Sequence, residues 1–328
     1  ADWWVMVVCG LLIHGFSLSP IFHPGLYDDI EVPNLIQIND EYYLIGSIRE
    51  DAKIRYWHAK STQGPWYSHH DNVLLPRGNY AARVSQDDKG WLIWNVCSRT
   101  ASRKVSNLMP PPKRLVRQAD GLLNAVSFEG FDKRVVKQNS LTGLAPLESC
   151  QAASHPQAET NLEWRDESLL LVNEAGFQSF VFPQEFDSFR FRAQLKLVGL
   201  GKCGMVARMD RETRDGYYLS LDLLKGIAQL RAWGTNCQAT GEEMMNFRTA
   251  QAAYWHVNTP GQAKLELVMF GSYIECSIDG RVVLSVVDEV YQRGAVGIYL
   301  ESARAFVHDI SLEQLSPPQQ RDDHLTVG

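Results

Sequence analysis

The stretch Phe189-Arg190-Phe191-Arg192-Ala193-Gln194-Leu195-Lys196-Leu197 alternates without a break. In an extended chain Phe189, Phe191, Ala193, Leu195 and Leu197 fall on one side, and Arg190, Arg192, Gln194 and Lys196 on the other. A period of two marks a β-strand with one face in a core and the other wet. The same signal recurs from Asn161 onward, in SLLLVN (168–173), FQSFVF (177–182), GMVARM (204–209), GYYLSLDL (216–223), IAQLRAW (227–233), AKLELVM (263–269), YIECSI (273–278), RVVLSVV (281–287) and AVGIYL (295–300). Asp279-Gly280, between two of these runs, is the strongest hairpin signal in the chain. No segment sustains a helical period. Many antiparallel strands without helices imply two packed sheets, here a concanavalin/jelly-roll-like β-sandwich over 161–315 with a tail at 316–328.

Shorter strands dominate upstream: WWVMVV (3–8), EVPNLIQI (31–38), YYLIGSI (42–48), IRYWHA (54–59), NYAARV (79–84) and WLIWNV (91–96). Asn39-Asp40 and Asp88-Lys89-Gly90 supply turns between neighbours. Recurring small meanders of this kind fit blades of a partial β-propeller over 1–115, about two and a half of the ~4 to 8 blades that close one. Met109-Pro110-Pro111-Pro112 should end this part, because consecutive prolines cannot continue a central strand. Residues 116–160 are expected to be linker and connecting strands, with 144–159 the weakest in apolar residues. The fold class is therefore all-β.

Composition narrows the function classes. Hydrophobic residues make up 45% and charged residues 21% of 328, the balance of a folded globular chain. A net charge of -6 with no basic run argues against nucleic acid as a partner. The apolar run at 3–13 is too short to span a bilayer and lacks a basic flank, so it is expected to be a buried strand and turn rather than a membrane anchor. The opening at Ala1 fits either a removed leader or a piece of something longer. Cys9, Cys97, Cys150, Cys203, Cys237 and Cys276 show no zinc-ligand spacing and are expected to be buried thiols, Cys276 alternating with Ile274 and Ile278. His69-His70 has no third ligand nearby, so no metal site is expected. Compartment and oligomeric state are not legible.

The segment Tyr27-Asp28-Asp29-Ile30-Glu31-Val32-Pro33-Asn34 carries the most chemistry. A carboxylate opening an apolar strand would face a propeller channel, where desolvation would raise its pKa and make Glu31 a general acid; the ordinary alternative is an exposed or turn-capping glutamate. Asp29 shares its face if the strand already includes it, and otherwise belongs to the entering turn. Arg49 and Glu50 would bind sugar hydroxyls or cap a turn. Tyr80, Arg83 and Trp94 would line the channel, with core packing the competing role for Trp94.

Glu31-Val32-Pro33-Asn34-Leu35, followed by Tyr42-Tyr43-Leu44-Ile45-Gly46-Ser47, resembles the Glu-Cys-Pro-Asp-Leu segment and next strand of glycoside hydrolase family 32, the invertases and fructanases. Asn79-Tyr80-Ala81-Ala82 with Gly90-Trp91-Leu92-Ile93-Trp94 resembles that family's Tyr-Ala inner strand and its successor. Pro111-Pro112-Lys113-Arg114-Leu115 with Asp120-Gly121-Leu122-Leu123 resembles its passage from propeller to sandwich. The resemblance implies a five-bladed propeller, a retaining mechanism without an organic cofactor, an oligosaccharide or glycoside substrate, and Glu31 as acid/base. Two departures stand out. Val32 replaces the family's cysteine, and neither the Asn-Asp-Pro motif of its nucleophile nor its Arg-Asp-Pro motif is present; both are expected ahead of Trp3. With one of two required carboxylates in view, the chain alone is expected to show little or no hydrolysis. The rival expectations are a non-catalytic glycan-binding protein and an inactive fragment of a glycosidase.

Overall fold

The computed structural model describes residues 21–98, 107–139, 144–146, 159–165, 168–234 and 247–318. The expected strand at 3–8 and Cys9, Cys150 and Cys237 lie outside them. The fold is all-β, a partial propeller followed by a sandwich. A first antiparallel meander runs β1 (Glu31–Ile38), β2 (Glu41–Ile48), β3 (Lys53–Ala59) and β4 (Val73–Leu75) in sequence order. A second contains β5 (Asn79–Asp87), β6 (Gly90–Ser98), β7 (Asn107–Leu108), β8 (Lys113–Arg117) and β9 (Leu123–Val126), in the order β5-β6-β8-β9 with β7 on β6. The two blades pack face to face: Ile36, Tyr43, Ile45 and Tyr56 of the first meet Ala82, Ile93, Leu115 and Ala125 of the second.

Polar groups join the blades where this core ends. Buried Glu41 accepts hydrogen bonds from Tyr43 Oη (3.1 Å) and from Arg117 on β8 (2.9 Å), and its other oxygen lies 2.7 Å from His58 Nδ1. Burial opposes ionisation of Glu41, but the His58, Arg117 and Tyr43 bonds outweigh it and hold the carboxyl below its ordinary value. His69 stacks on His58 with ring centres 4.5 Å apart.

The prolines interrupt the chain without ending the sheet. Beyond them β8 pairs with β6, and β9 with β8, so the boundary expected at 115 falls inside β8. Proline is tolerated here because it lies between strands, where no ladder N–H is required. A short 3-10 turn, Glu129–Arg134, then leads into the large sheet.

Among the described residues that sheet has thirteen strands. They are β10 (Val135–Gln138), β11 (Ala145–Pro146), β12 (Thr160–Arg165), β13 (Ser168–Phe186), β14 (Phe189–Val198), β15 (Lys202–Met209), β16 (Gly216–Asp222), β17 (Ile227–Trp233), β18 (Phe247–Tyr254), β19 (Gln262–Phe270), β20 (Tyr273–Ile278), β21 (Arg281–Val287) and β22 (Gly294–Leu315). The order is β18-β17-β16-β15-β22-β14-β19-β20-β21, with β10 and β13 also on β22 and with β11 and β12 on β13. One part of β22 pairs with β15 and another with β14, so the sheet divides there into two layers around a shared apolar core. Two runs expected as separate strands, SLLLVN and FQSFVF, are one strand, β13, whose register shifts between Asn173 and Phe177. Asp279 and Gly280 adopt φ of 51° and 80°, the left-handed pair of a two-residue hairpin turn.

The alternating strand that opened the sequence is β14. Phe189, Phe191, Ala193, Leu195 and Leu197 all enter the core, as does Cys276 between Ile274 and Ile278. The opposite face is not uniformly wet: Arg190 is only 5% exposed, donating to Glu313 (2.6 Å) and to Asp132 of the 3-10 turn (2.7 Å). This outward face of the sandwich rests against the second blade. At the junction the buried Asn79 side chain donates to Ser285 O (2.9 Å) and accepts from Asn95 (2.9 Å), while Gln251 bonds both Arg77 O (2.6 Å) and Ser285 O (2.9 Å). Fully buried Lys113 donates to Asn95 Oδ1 (3.1 Å) and lies 5.1 Å over the Tyr273 ring, whose hydroxyl donates to Glu275 (2.5 Å). Among the described residues, no helix is long and apolar enough to cross a membrane.

Candidate functional site

The site forms where β1 and β5 begin. Ile30, just ahead of β1, is buried among Leu44, Ile48 and Trp57, and Gly46 makes room for it: a Cβ there would lie 2.1 Å from Ile30 Cγ2. With Ile30 anchored, the chain enters β1 at Glu31, opposite Ser47 of β2. The register then slips between Glu31 and Asn34, and Val32 takes a left-handed φ of 51°. For a β-branched residue this backbone is strained by about 1–3 kcal/mol.

The neighbouring inner strand has the same device. In β5 the register shifts between Tyr80 and Arg83, and Ala81 has φ 51°. Both bulges occur beside candidate functional side chains, a common position for bulges that re-aim a side chain. Between the strands, Asn34 Nδ2 donates to Val32 O (2.8 Å) and to Ala82 O (2.9 Å), and Asn34 Oδ1 accepts from Val84 N (3.3 Å). Ser47 Oγ accepts from Ala82 N (3.3 Å). Side chains thus replace a ladder between the two blades at this point.

Glu31 is half-buried. Burial first, and the Glu31 carboxylate beside it second, push the Tyr80 phenol well above its ordinary value; its hydroxyl is enclosed and has no well-formed hydrogen bond. Asp29 joins them. Its side chain is 12% exposed, Oδ2 lies 3.4 Å from Arg49 Nη1, and Oδ1 is buried without a partner. Desolvation raises its pKa; Arg49 opposes that rise, while Glu31, Glu50 and Asp28 add to it.

Arg49 and Glu50 hold the entry to β1. Glu50 Oε1 accepts from the Asp28 N–H (2.6 Å), and Arg49 reaches Asp28 (3.9 Å) as well as Asp29. Arg83 and Trp94 face each other across the β5–β6 pair, one bulge further along than Tyr80. The shared register puts both on the Tyr80 face, Arg83 exposed and Trp94 donating from Nε1 to Ser85 Oγ (2.9 Å). The structure therefore gathers Glu31, Asp29, Arg49, Glu50 and Tyr80, with Arg83 and Trp94 flanking them. Among the described residues, no three His, Cys, Asp or Glu side chains converge as a metal site.

Sequence reasoning missed Asn34 as the tie between strands and missed both bulges. Asn34 was visible inside the Val-Pro-Asn run, but its partners lie about fifty residues away. A left-handed valine or alanine gives no sequence signal.

Neither a family model nor a curated protein matches the sequence. Solved structures do. Fructan 1-exohydrolase IIa from Cichorium intybus is similar with a TM-score of 0.59 at 11% identity, over 88% of this chain and 62% of that one. An exo-inulinase from Aspergillus awamori gives 0.57 at 10%, over 90% and 59%. A sucrose-6-phosphate hydrolase from Lactobacillus gasseri gives 0.56 at 12%, over 88% and 55%. The chain thus spans between 55% and 62% of the length of these structures. At such identities the likeness is one of fold.

Proposed function

We propose that the chain belongs to a glycoside hydrolase of the β-fructofuranosidase and fructanase kind, acting on O-glycosidic bonds with Glu31 as general acid/base. The observation that carries the reading is the placement of Glu31: it opens an inner strand at a bulge, against the enclosed Tyr80 hydroxyl, with Asp29 and Arg49 beside it. Such a carboxyl would protonate the leaving oxygen as the glycosidic bond breaks, then take a proton from the water that completes hydrolysis. Tyr80 positions the carboxyl. Asp29 is the first candidate for the second carboxylate, with Arg49 favouring its ionised form against desolvation. Arg83 and Trp94 would contact further sugar units, and no organic cofactor enters the chemistry.

The rival is a non-catalytic glycan-binding protein. It is favoured by one observation: the carboxylates acting on Asp29 all come from the stretch 28–50, on the side of the site that Glu31 itself occupies. Hydrolysis of sucrose, inulin and aryl glycosides by the chain separates the two. Turnover that Glu31→Gln abolishes supports the hydrolase, and Asp29→Asn then tests the second role. Saturable sugar binding without turnover supports the rival.

A further inference from the structure

A groove of about 360 Å³, with no residue of β1 or β5 in its lining, lies between the end of β9 and the outward face of the sandwich. Val126 and Ser127 form one wall; Arg192 and Gln194 of β14, Lys264 and Glu266 of β19, and Ser277 of β20 form the other. A second groove of about 280 Å³ shares Gln194 and Lys264 with it and adds Asn258, Gln262 and Asp279. Together they fall within the roughly 300–1,000 Å³ of small-molecule sites.

The lining has a consistent chemistry. Alternation in β14 and β19 turns every second side chain outward, so amide, ammonium, guanidinium and carboxylate groups stand side by side over the core. Arg192 is occupied by Glu266 (2.5 Å), whereas among the described residues the Gln194 amide and the Lys264 ammonium have no partner. Ser277 is 4% exposed with an unpartnered hydroxyl, while the Ser127 hydroxyl and the carboxyl of Glu275, 1% exposed, face each other without a well-formed bond. An unmet buried polar group costs about 1–3 kcal/mol and calls for an explanation. Formal charges in the first groove cancel, Arg192 and Lys264 against Glu266 and Asp309. Donors and acceptors in equal supply, without net charge, suit a ligand that is itself rich in hydroxyls and neutral.

We infer that this groove is a second, non-catalytic site for a neutral oligosaccharide. It rests on the carbohydrate reading above and adds to it a separate place of binding. The Glu31 site is built by the inner strands β1 and β5; the groove is built by β9, at the other end of the order β5-β6-β8-β9, and by the sandwich. A long saccharide held here would stay with the protein independently of any reaction at Glu31.

The test is an amide-shift NMR titration of the full chain with 1-kestose, and with cellotriose as an unrelated neutral saccharide. Saturable shifts at 126–127, 192–194 and 264–266 are expected for at least one of them. Gln194→Ala and Lys264→Ala, both on the half-buried or exposed face, should each weaken that binding by about fivefold or more while keeping the wild-type melting curve. Glu31→Gln should leave the groove shifts in place. Shifts confined to the Glu31–Tyr80 region, or groove variants that bind like wild type, would overturn the inference while leaving the hydrolase reading untouched. Turnover that survives Glu31→Gln, with the groove shifts in place, would sink the role given to Glu31 in the hydrolase reading alone.

Discussion

Replacing Asn34 with alanine should loosen the joint between the two blades more than any ordinary surface change. The amide makes three hydrogen bonds, two of which cross from β1 to β5, at Ala82 O (2.9 Å) and Val84 N (3.3 Å). Truncation removes them and leaves partly buried backbone groups on a strand already bent by a bulge. At about 1–1.5 kcal/mol for each crossing bond, with some added penalty for the unmet groups, the expected loss is about 2–4 kcal/mol. Asn34→Asp is the companion variant: it keeps an acceptor for Val84 N but turns a carboxylate oxygen against the Val32 and Ala82 carbonyls, so at neutral pH it should be no more stable than alanine. Urea unfolding at neutral pH measures all three, read as midpoint shifts at constant slope. An alanine variant within about 0.5 kcal/mol of wild type would refute the claim that this side chain stands in for a ladder.

Tyr80→Phe removes an enclosed hydroxyl that has no well-formed bond, so stability should hold or rise by about 1 kcal/mol while turnover or sugar affinity drops about tenfold or more; equal activity would remove Tyr80 from the site. For Asp29 the folded pKa is raised, so its ionised form destabilises the fold: the penalty is absent below the unfolded value of ~3.9, sets in as pH rises through it, and is complete above the folded value. Asp29→Asn should therefore gain stability over wild type at neutral pH and not in acid, and a difference independent of pH in urea melts would contradict this. Burial pushes the Lys113 ammonium down and the Glu275 carboxyl up, each opposed by the other. Lys113→Met should cost about 3–5 kcal/mol, and Lys113→Met with Glu275→Gln distinctly less than the sum of the singles; strict additivity in a double-mutant cycle would show that the two do not interact.

How much of this was legible in sequence depends on how far apart the determining residues lie. Alternation in 189–197 and the Asp279-Gly280 turn are local signals, and both survive intact because strand periodicity and left-handed turn chemistry act over a few residues. The covered state of Arg190 was not legible, because its cover comes from the turn around Asp132, some sixty residues earlier. The prolines misled for a similar reason: locally they break a strand, yet the pairing of β8 with β6 bridges them. For the site, the sequence reading already expected Glu31 and Tyr80 on one channel, whereas the bulges in β1 and β5 and the Asn34 tie beside them were not legible. Asp29 stood out as a turn residue, but its enclosure by Arg49 and the β1 entry depends on the Ile30–Gly46 contact, which no local pattern encodes.

The position of β22 bears on how the protein is made. This strand is the common neighbour of β10, β13, β14 and β15, and it is the last strand described in the chain. Strands such as β13 emerge more than a hundred residues before the partner that lies beside them. During synthesis they would wait with open edges and apolar faces, a state prone to pairing with other chains. Closing such long loops also slows folding, since the entropy is lost before the contacts form. The two-layer sheet should therefore assemble only once β22 has emerged, in one late step, while the local meander β1–β4 can form as soon as it leaves the ribosome.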